Sequence, residues 1–550
     1  MNEKRFSNPR TKKTVTGRRG FLAKSMAAAL GVGITDTTAM AGTNGSSSGG
    51  SERLETAKRI RVDAAAFHAA QGEPLHPKNE DQTAYPRNIA SFSKTLPHGP
   101  DGEVDANAFG QLKRALSTGE GADFATIPMG GSGKLINPRA SFAFQLEGAD
   151  PCQFSIPAAP SFNSAECAGE MVELYWQALT RDIPFAAYDS DSVIAQAARD
   201  VSRLSAFRGP KASGIVTPAT IFRGSTAGEL IGPYLSQFLI KPIPVGASVL
   251  QQQFKVPVPG LDYLVYFDEW LANQNGVAPT RAISLDPQPR YIRNGRDLAW
   301  FVHHDFSFQI FLSTALMLTS YGTGAIHPNN PYLRTTTEAG FATFGAPNIL
   351  DMVVRAANYA LRAAWFQKWT VHMRLRPEVY AARVHQVVAR VKNYPVHPEV
   401  LRSDALTRLV ARTGSALLPL SYPEGSPAHP AYPSGHATIA GACVTMLKAF
   451  FNEDFLVPSP SAVAGDGLSL LPYAGNLRVG DELNKLASNV AIGRNAAGVH
   501  YRSDAMDGLR LGEDVAIEIL RDTLRTFREQ FSSFTFRRFD GTTCVVMLQR

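Results

Sequence analysis

The chain has 550 residues, 44% hydrophobic and 19% charged, with 45 Gly, 36 Pro and 4 Cys. That composition excludes a collagen-like, disordered or disulfide-scaffolded chain, and without an apolar run of about 18 residues no membrane anchor is expected. The formal charge of +7 does not point to nucleic acid: eight cations and two carboxylates lie within residues 1–41, so the rest is close to neutral.

Residues 16–24 read TGRRGFLAK, a weakly apolar run continues to Gly33, and Ala39-Met40-Ala41 has a small-x-small form. Residues 1–41 therefore resemble a twin-arginine export signal, which predicts a periplasmic or extracellular protein exported already folded. The stretch GTNGSSSGGSE (42–52) reads as a flexible linker. Export leads to a disulfide-permissive compartment. Cys152 and Cys167 flank a loop-like stretch and could pair, Cys443 reads as a buried free thiol, and Cys544 has no obvious partner.

Short helical patterns alternate with Pro-rich loops over 53–120, and apolar residues three and four apart predict helix over 167–209. Residues 210–290, broken by Pro, Gly and Gln, read as long surface excursions. Strong helical patterns then cover 296–322 and 349–375, with a later one opening at Pro433. Strand patterns are sparse, confined to 247–258 and the C-terminal CVVML. The fold class is all-α with minor short strands.

Two motifs carry little. Pro128–Lys134 resembles a phosphate loop, but Pro128 replaces its first Gly and Leu135 its Ser/Thr. His303-His304-Asp305 could suggest a metal cluster, but neighbours on a helix point about 100° apart; a buried, hydrogen-bonded histidine is expected there.

Three segments carry chemistry. Lys368 and Arg376 lie eight residues apart, and with a helix ending before Pro377 both can converge on one anion. In HPAYPSGHAT (429–438), Pro433 suits a first helical position, followed by Ser434, Gly435 and His436. Such a first turn offers unpaired N–H groups, a hydroxyl and the positive end of the helix dipole, with His436 as a proton carrier at its rim. Arg494 precedes His500 by six residues, with Asp504 one turn beyond.

Together these describe a host for a tetrahedral or trigonal-bipyramidal oxyanion, and the pattern resembles the superfamily joining vanadium-dependent haloperoxidases to type 2 acid phosphatases. RYIRNGRDLAWFVHHDF (290–306), KWTVHMRLRPE (368–378), HPAYPSGHAT (429–438) and AAGVHYRSDA (496–505) look like the algal and cyanobacterial bromoperoxidase branch. The resemblance implies two helical bundles, with a mainly helical part over 53–290 and the vanadate site in 291–550. It implies vanadate held by Lys368, Arg376, Arg494, Ser434 and Gly435, with His500 binding vanadium, His436 moving a proton and Lys368 polarising the bound peroxide. Its reactants would be hydrogen peroxide, a halide (bromide or iodide) and a small organic acceptor, in a homo-oligomer with no nucleic-acid partner. His429 sits where bromoperoxidases carry a histidine, Trp365 matches a pocket tryptophan, and Asp305 matches a carboxylate that orients a pocket arginine, so that Asp305→Asn should weaken vanadate binding.

The eight-residue Lys368–Arg376 spacing and Gly493 before Arg494 depart from the phosphatase pattern. The alternative function is a secreted acid phosphatase, with His500 as nucleophile and His436 as acid.

Overall fold

The computed structural model describes residues 48–548. Residues 1–41, expected as an export leader, and the first part of the Gly/Ser stretch lie outside the described residues; from Ser48 onward that stretch is not linker but the start of a helix, Ser48–Gln71. Arg59–Arg550 form one compact unit, to which the following description applies.

Local signals explain most helix ends. The helical pattern over 167–209 divides into α1 (Ala165–Thr180), opened by the Ser164 hydroxyl accepting from the Cys167 N–H, and a second helix, Ser192–Ser202, capped by Asp191. The single helix expected over 296–322 is broken. Its first part, α2 (Gly295–His304), is opened by Asn294, and it stops where Asp305 turns extended (φ −68°, ψ 146°) before Gln309–Ser320 resumes. The pattern over 349–375 forms α3 (Ala346–Phe366), then a π-helical turn, Gln367–His372, closed by Met373 in the left-handed region (φ 45°). The helix thus ends four residues earlier than Pro377 requires, and Arg376 instead caps α4 (Pro377–Val388). Three helices complete the centre of the molecule: α5 (Gly435–Phe450), α6 (Val479–Ala496) and α7 (Arg502–Leu524). Pro433 lies outside α5, whose N-cap is Ser434.

Two hydrophobic clusters correspond to two bundles. One gathers α3, α5, α6 and α7 through Ala360, Val444, Leu447, Leu486, Val490 and Ile519. The other gathers α1, Ser192–Ser202, α4 and Asp404–Thr413 through Met171, Trp176, Ile194, Val384 and Leu409. Neither respects a boundary at residue 290: the first includes Ile156 and Phe238–Ile240, the second Val379 and Tyr501. For the same reason 210–290 is not a surface excursion throughout. Ile221, Phe222, Phe238, Val256, Leu264 and Trp270 are buried, because irregular backbone still inserts apolar side chains into both cores. Strand structure among the described residues is limited to short antiparallel hairpins, the longest pairing Ser533–Arg537 with Thr543–Met547.

α5 and α7 cross with their backbones in contact. A Cβ on Gly512 would fall well inside contact distance of the Thr438 carbonyl and 2.6 Å from the Ala442 nitrogen; one on Gly441 would overlap the Leu509 carbonyl. That close approach sets the two helix N-termini side by side, where the Ser434 N–H donates to the Asp504 carbonyl at 2.8 Å.

Candidate active site

The segments singled out above meet at the seam between the two bundles, where Ala431 and Val499 belong to one cluster and Ala437 and Ala440 to the other. Lys368, from the π turn, is fully buried and donates to the carbonyls of Pro430 (2.7 Å) and Ala431 (2.9 Å). An ammonium has three donors, so one N–H remains. Arg376 donates to the carbonyls of His429 (2.9 Å) and Val499 (2.7 Å), to His429 Nδ1 (2.9 Å) and to His500 Nε2 (3.0 Å). Arg494 donates to the Val302 carbonyl at 2.9 Å, while its buried Nε has no partner. The Ser434 hydroxyl oxygen accepts weakly from Ala437 N at 3.4 Å, and the Gly435 N–H stands in the first turn of α5, where no intrahelical acceptor exists.

Charge is concentrated here. Burial pushes Lys368 well below its ordinary range, and Arg376 and Arg494 push it further. Arg376 falls to about 9, by burial against the opposing attraction of Asp504. Burial, then Arg376, Lys368 and Arg494, hold His500 well below its ordinary value and so neutral. His429 is kept neutral by burial, Lys368 and Arg376.

The two remaining histidines are each oriented by a carboxylate. His500 Nδ1 lies 2.9 Å from Asp504 Oδ2, which can only accept; the proton is therefore on Nδ1 and Nε2 carries a lone pair. Asp504 is held in turn by Arg374 (2.7 Å), which also donates to Ser503 Oγ and Glu170 Oε2, each at 2.8 Å. His436 Nε2 lies 3.0 Å from Asp305 Oδ1. Burial works to raise the Asp305 pKa, but His436 and Arg494 overcome it and leave the carboxyl ionised. The direct arginine pairing expected of Asp305 is thus replaced by a histidine. The break after α2 aims the carboxylate at His436, while Arg494 reaches the Val302 carbonyl instead.

Trp365 packs its ring 4.8 Å from that of His429 and 5.9 Å from Lys368 Nζ, and with Leu361 it borders Gly435. His303 is hydrogen-bonded to Glu424 at 2.6 Å and stacked on Tyr422, as expected of one histidine in its motif, but it is half-buried rather than buried. Pro128–Lys134 is not a phosphate site: Gly130 and Gly133 donate their N–H groups to Thr95 and Gly276, and the loop packs on the 275–276 backbone. Cys152, Cys167, Cys443 and Cys544 are free thiols, so the candidate 152–167 pairing is not made.

Sequence reasoning missed Arg374, Glu170 and the Lys94–Glu378 pair (2.9 Å) beside Arg376. It named Asp504 without a partner, although its place four residues after His500 at a helix start is a usable signal. Glu170 and Lys94 lie 204 and 284 residues from their partners Arg374 and Glu378 and carried none.

The pocket tests as an anion host. Three buried cations face it, Arg494 Nε is unpartnered, a helix N-terminus opens on it, and one imidazole presents a bare nitrogen. Among the described residues no cluster of three or more His, Cys, Asp or Glu is placed to hold a metal cation. An oxyanion of a metal with one open coordination position for nitrogen fits these donors.

Residues 349–529 match the family described as VCPO second helical-bundle domain. The vanadium-dependent bromoperoxidase of Ascophyllum nodosum is 35% identical over 477 residues, 82% of this chain and 85% of that protein. That of Corallina officinalis is 33% identical over 579 residues, 89% of this chain and 96% of that one. The solved homohexameric structure of the second vanadate-dependent bromoperoxidase from Ascophyllum nodosum superposes with a TM-score of 0.87 at 28% identity, covering 95% of each chain.

Proposed function

The chain belongs to the vanadium-dependent bromoperoxidase family, and from that premise we propose that its seam pocket binds vanadate and oxidises bromide with hydrogen peroxide. The observation that carries the reading is the convergence of Lys368, Arg376 and Arg494 with a lone-pair nitrogen, His500 Nε2, at the N-terminus of α5. Vanadate, when bound, supplies a Lewis acid that activates hydrogen peroxide toward halide without changing its own oxidation state.

The chain's residues do the rest. Lys368, Arg376 and Arg494 balance the anion's charge, and the Arg494 Nε–H gains its missing acceptor. Ser434 Oγ–H and the Gly435 N–H would donate to the oxygens of the anion. His500 Nε2, which here accepts from Arg376, would be the nitrogen that holds the metal, while Asp504 keeps the proton on Nδ1. The N–H of Lys368 left over from its two carbonyl partners would place a donor toward the oxidant. Asp305 holds His436 by Nε2, leaving Nδ1 to take the proton of incoming peroxide and return it to water. The balance is one peroxide, one bromide and one proton to hypobromous acid and water; the acid then halogenates organic acceptors, and the more easily oxidised iodide serves equally.

Residues 1–41 are proposed as an export leader and the chain as a homo-oligomer, the latter supported by the hexameric state of its structural neighbour. A phosphate monoester would meet the same cations, with His500 Nε2 as nucleophile, so the test has two arms. Protein lacking residues 1–41 is given orthovanadate, peroxide, bromide and a brominatable dye, or a phosphate monoester without vanadate. Vanadate-dependent bromination inhibited by phosphate is expected; brisk phosphate release with no bromination at any pH would overturn the proposal in favour of the phosphatase.

A further inference from the structure

Outside the oxyanion pocket, a cleft of about 830 Å³ shares a wall with it. Leu361 and Trp365 form that wall. They line the cleft on one side and border Gly435 on the other, where a Cβ would lie 3.2 Å from Trp365 Cζ3 and 3.4 Å from Leu361 Cδ1. The remaining lining is mostly apolar, with Ile136 and Phe142; its polar side chains are the amides of Asn137 and Asn358 and the guanidinium groups of Arg139 and Arg362. Arg362 spends one donor on the Phe144 carbonyl at 2.9 Å, and no carboxylate lines the cleft. Among the described residues neither arginine forms an ion pair with an acidic side chain. The surface therefore offers an aromatic and aliphatic bed with two uncompensated cations, complementary to a flat anion of matching length.

We propose that this cleft binds the organic acceptor, and that the acceptor class it takes is an electron-rich aromatic carboxylate such as a hydroxybenzoate. The inference rests on the bromoperoxidase reading, because only an oxidised halogen gives the bound ring something to react with. The step balances as electrophilic substitution. The aromatic carbon–bromine bond forms as the O–Br bond of hypobromous acid breaks, and the displaced ring proton leaves with the hydroxide as water. The carboxylate lies on Arg139 and Arg362, and the ring stacks on Trp365 and Phe142, one side chain from the pocket in which the halide is oxidised. Binding there raises the local concentration of acceptor beside the source of oxidant, which favours its halogenation over that of neutral phenols of equal reactivity.

The test uses the assembled enzyme and two probes, 4-hydroxybenzoate and the neutral 4-hydroxybenzyl alcohol. Titration calorimetry without peroxide measures binding directly. Saturable binding of the carboxylate is expected, weakened about fivefold or more in Arg139→Ala/Arg362→Ala, with the alcohol much weaker and indifferent to the substitutions. In turnover, KM for the carboxylate should rise by a similar factor with kcat unchanged. Bromide-dependent peroxide consumption without organic acceptor should be the same in both proteins. Absence of saturation by the carboxylate overturns the proposal; this is also the result if a second copy of the chain covers the cleft. Equal binding by wild type and double variant overturns it as well. Peroxide consumption absent in both proteins would instead strike at the bromoperoxidase reading, and the calorimetry still decides on the cleft.

Discussion

Asp504 joins His500 to Arg374: one carboxylate oxygen lies 2.9 Å from His500 Nδ1 and the other 2.7 Å from Arg374 Nη1. Arg374 is fully enclosed, its guanidinium 3.8 Å over the Tyr501 ring and paired with Glu170 from α1. Both bundles therefore fix the angle and tautomer of the His500 imidazole, the proposed vanadium ligand. Asp504→Asn should weaken vanadate binding about 10- to 100-fold, read from the vanadate concentration giving half-maximal bromination. An unchanged half-saturation would remove Asp504 from that role.

Asp305 acts on His436, a different histidine from His500, the one proposed to bind metal. Because it holds His436 rather than an arginine, Asp305→Asn should lower kcat, by about 10- to 100-fold, more than it lowers vanadate affinity. A change confined to vanadate affinity would restore the arginine-orienting role that the sequence motif suggested.

The α5–α7 crossing places Ser434 beside Asp504, and it depends on the absence of side chains at Gly441 and Gly512. Gly512→Ala should cost about 3 kcal/mol, because the obstructing atoms are helix backbone and cannot swing aside. Thermal unfolding measures this; a midpoint equal to that of the unsubstituted protein would show that the helices can separate freely.

His372 sits beneath the site with its ring edge-on to Tyr432 (4.7 Å) and a buried, unpartnered Nε2. Burial, with His76, Arg374 and Lys78 adding, lowers its pKa from 6.5 to about 3. The unfolded chain thus binds this proton first as pH falls. The associated stability is complete above pH 6.5 and declines by at most about 1.4 kcal/mol per pH unit down toward pH 3. His372→Phe should reduce the drop in thermal midpoint between pH 6.5 and pH 5. An identical drop in both proteins would contradict that assignment.

That Lys368, Arg376, Ser434, Gly435, Arg494 and His500 meet in one pocket was legible because they stand at fixed short spacings around helix ends. Helices α3 and α5 were legible because both carry long apolar periodicities, whereas the two-bundle arrangement followed from the family resemblance. What local pattern could not show was where a helix stops for tertiary reasons. The apolar pattern runs straight through Asp305, yet the chain breaks there and the carboxylate meets His436. Likewise the π turn at Gln367–His372 carries no signal in residue spacing, though it is what buries Lys368. Partners such as Glu170, paired with Arg374 across 204 positions, are visible only once the bundles pack.

The most direct test of the account is vanadium stoichiometry. Wild-type protein and His500→Ala, both shown folded by circular dichroism, are equilibrated with orthovanadate, dialysed and analysed for metal. About one vanadium per wild-type chain and almost none in His500→Ala is the predicted result; equal retention by both would mean that His500 Nε2 is not the ligand and that the pocket described here is not the vanadate site.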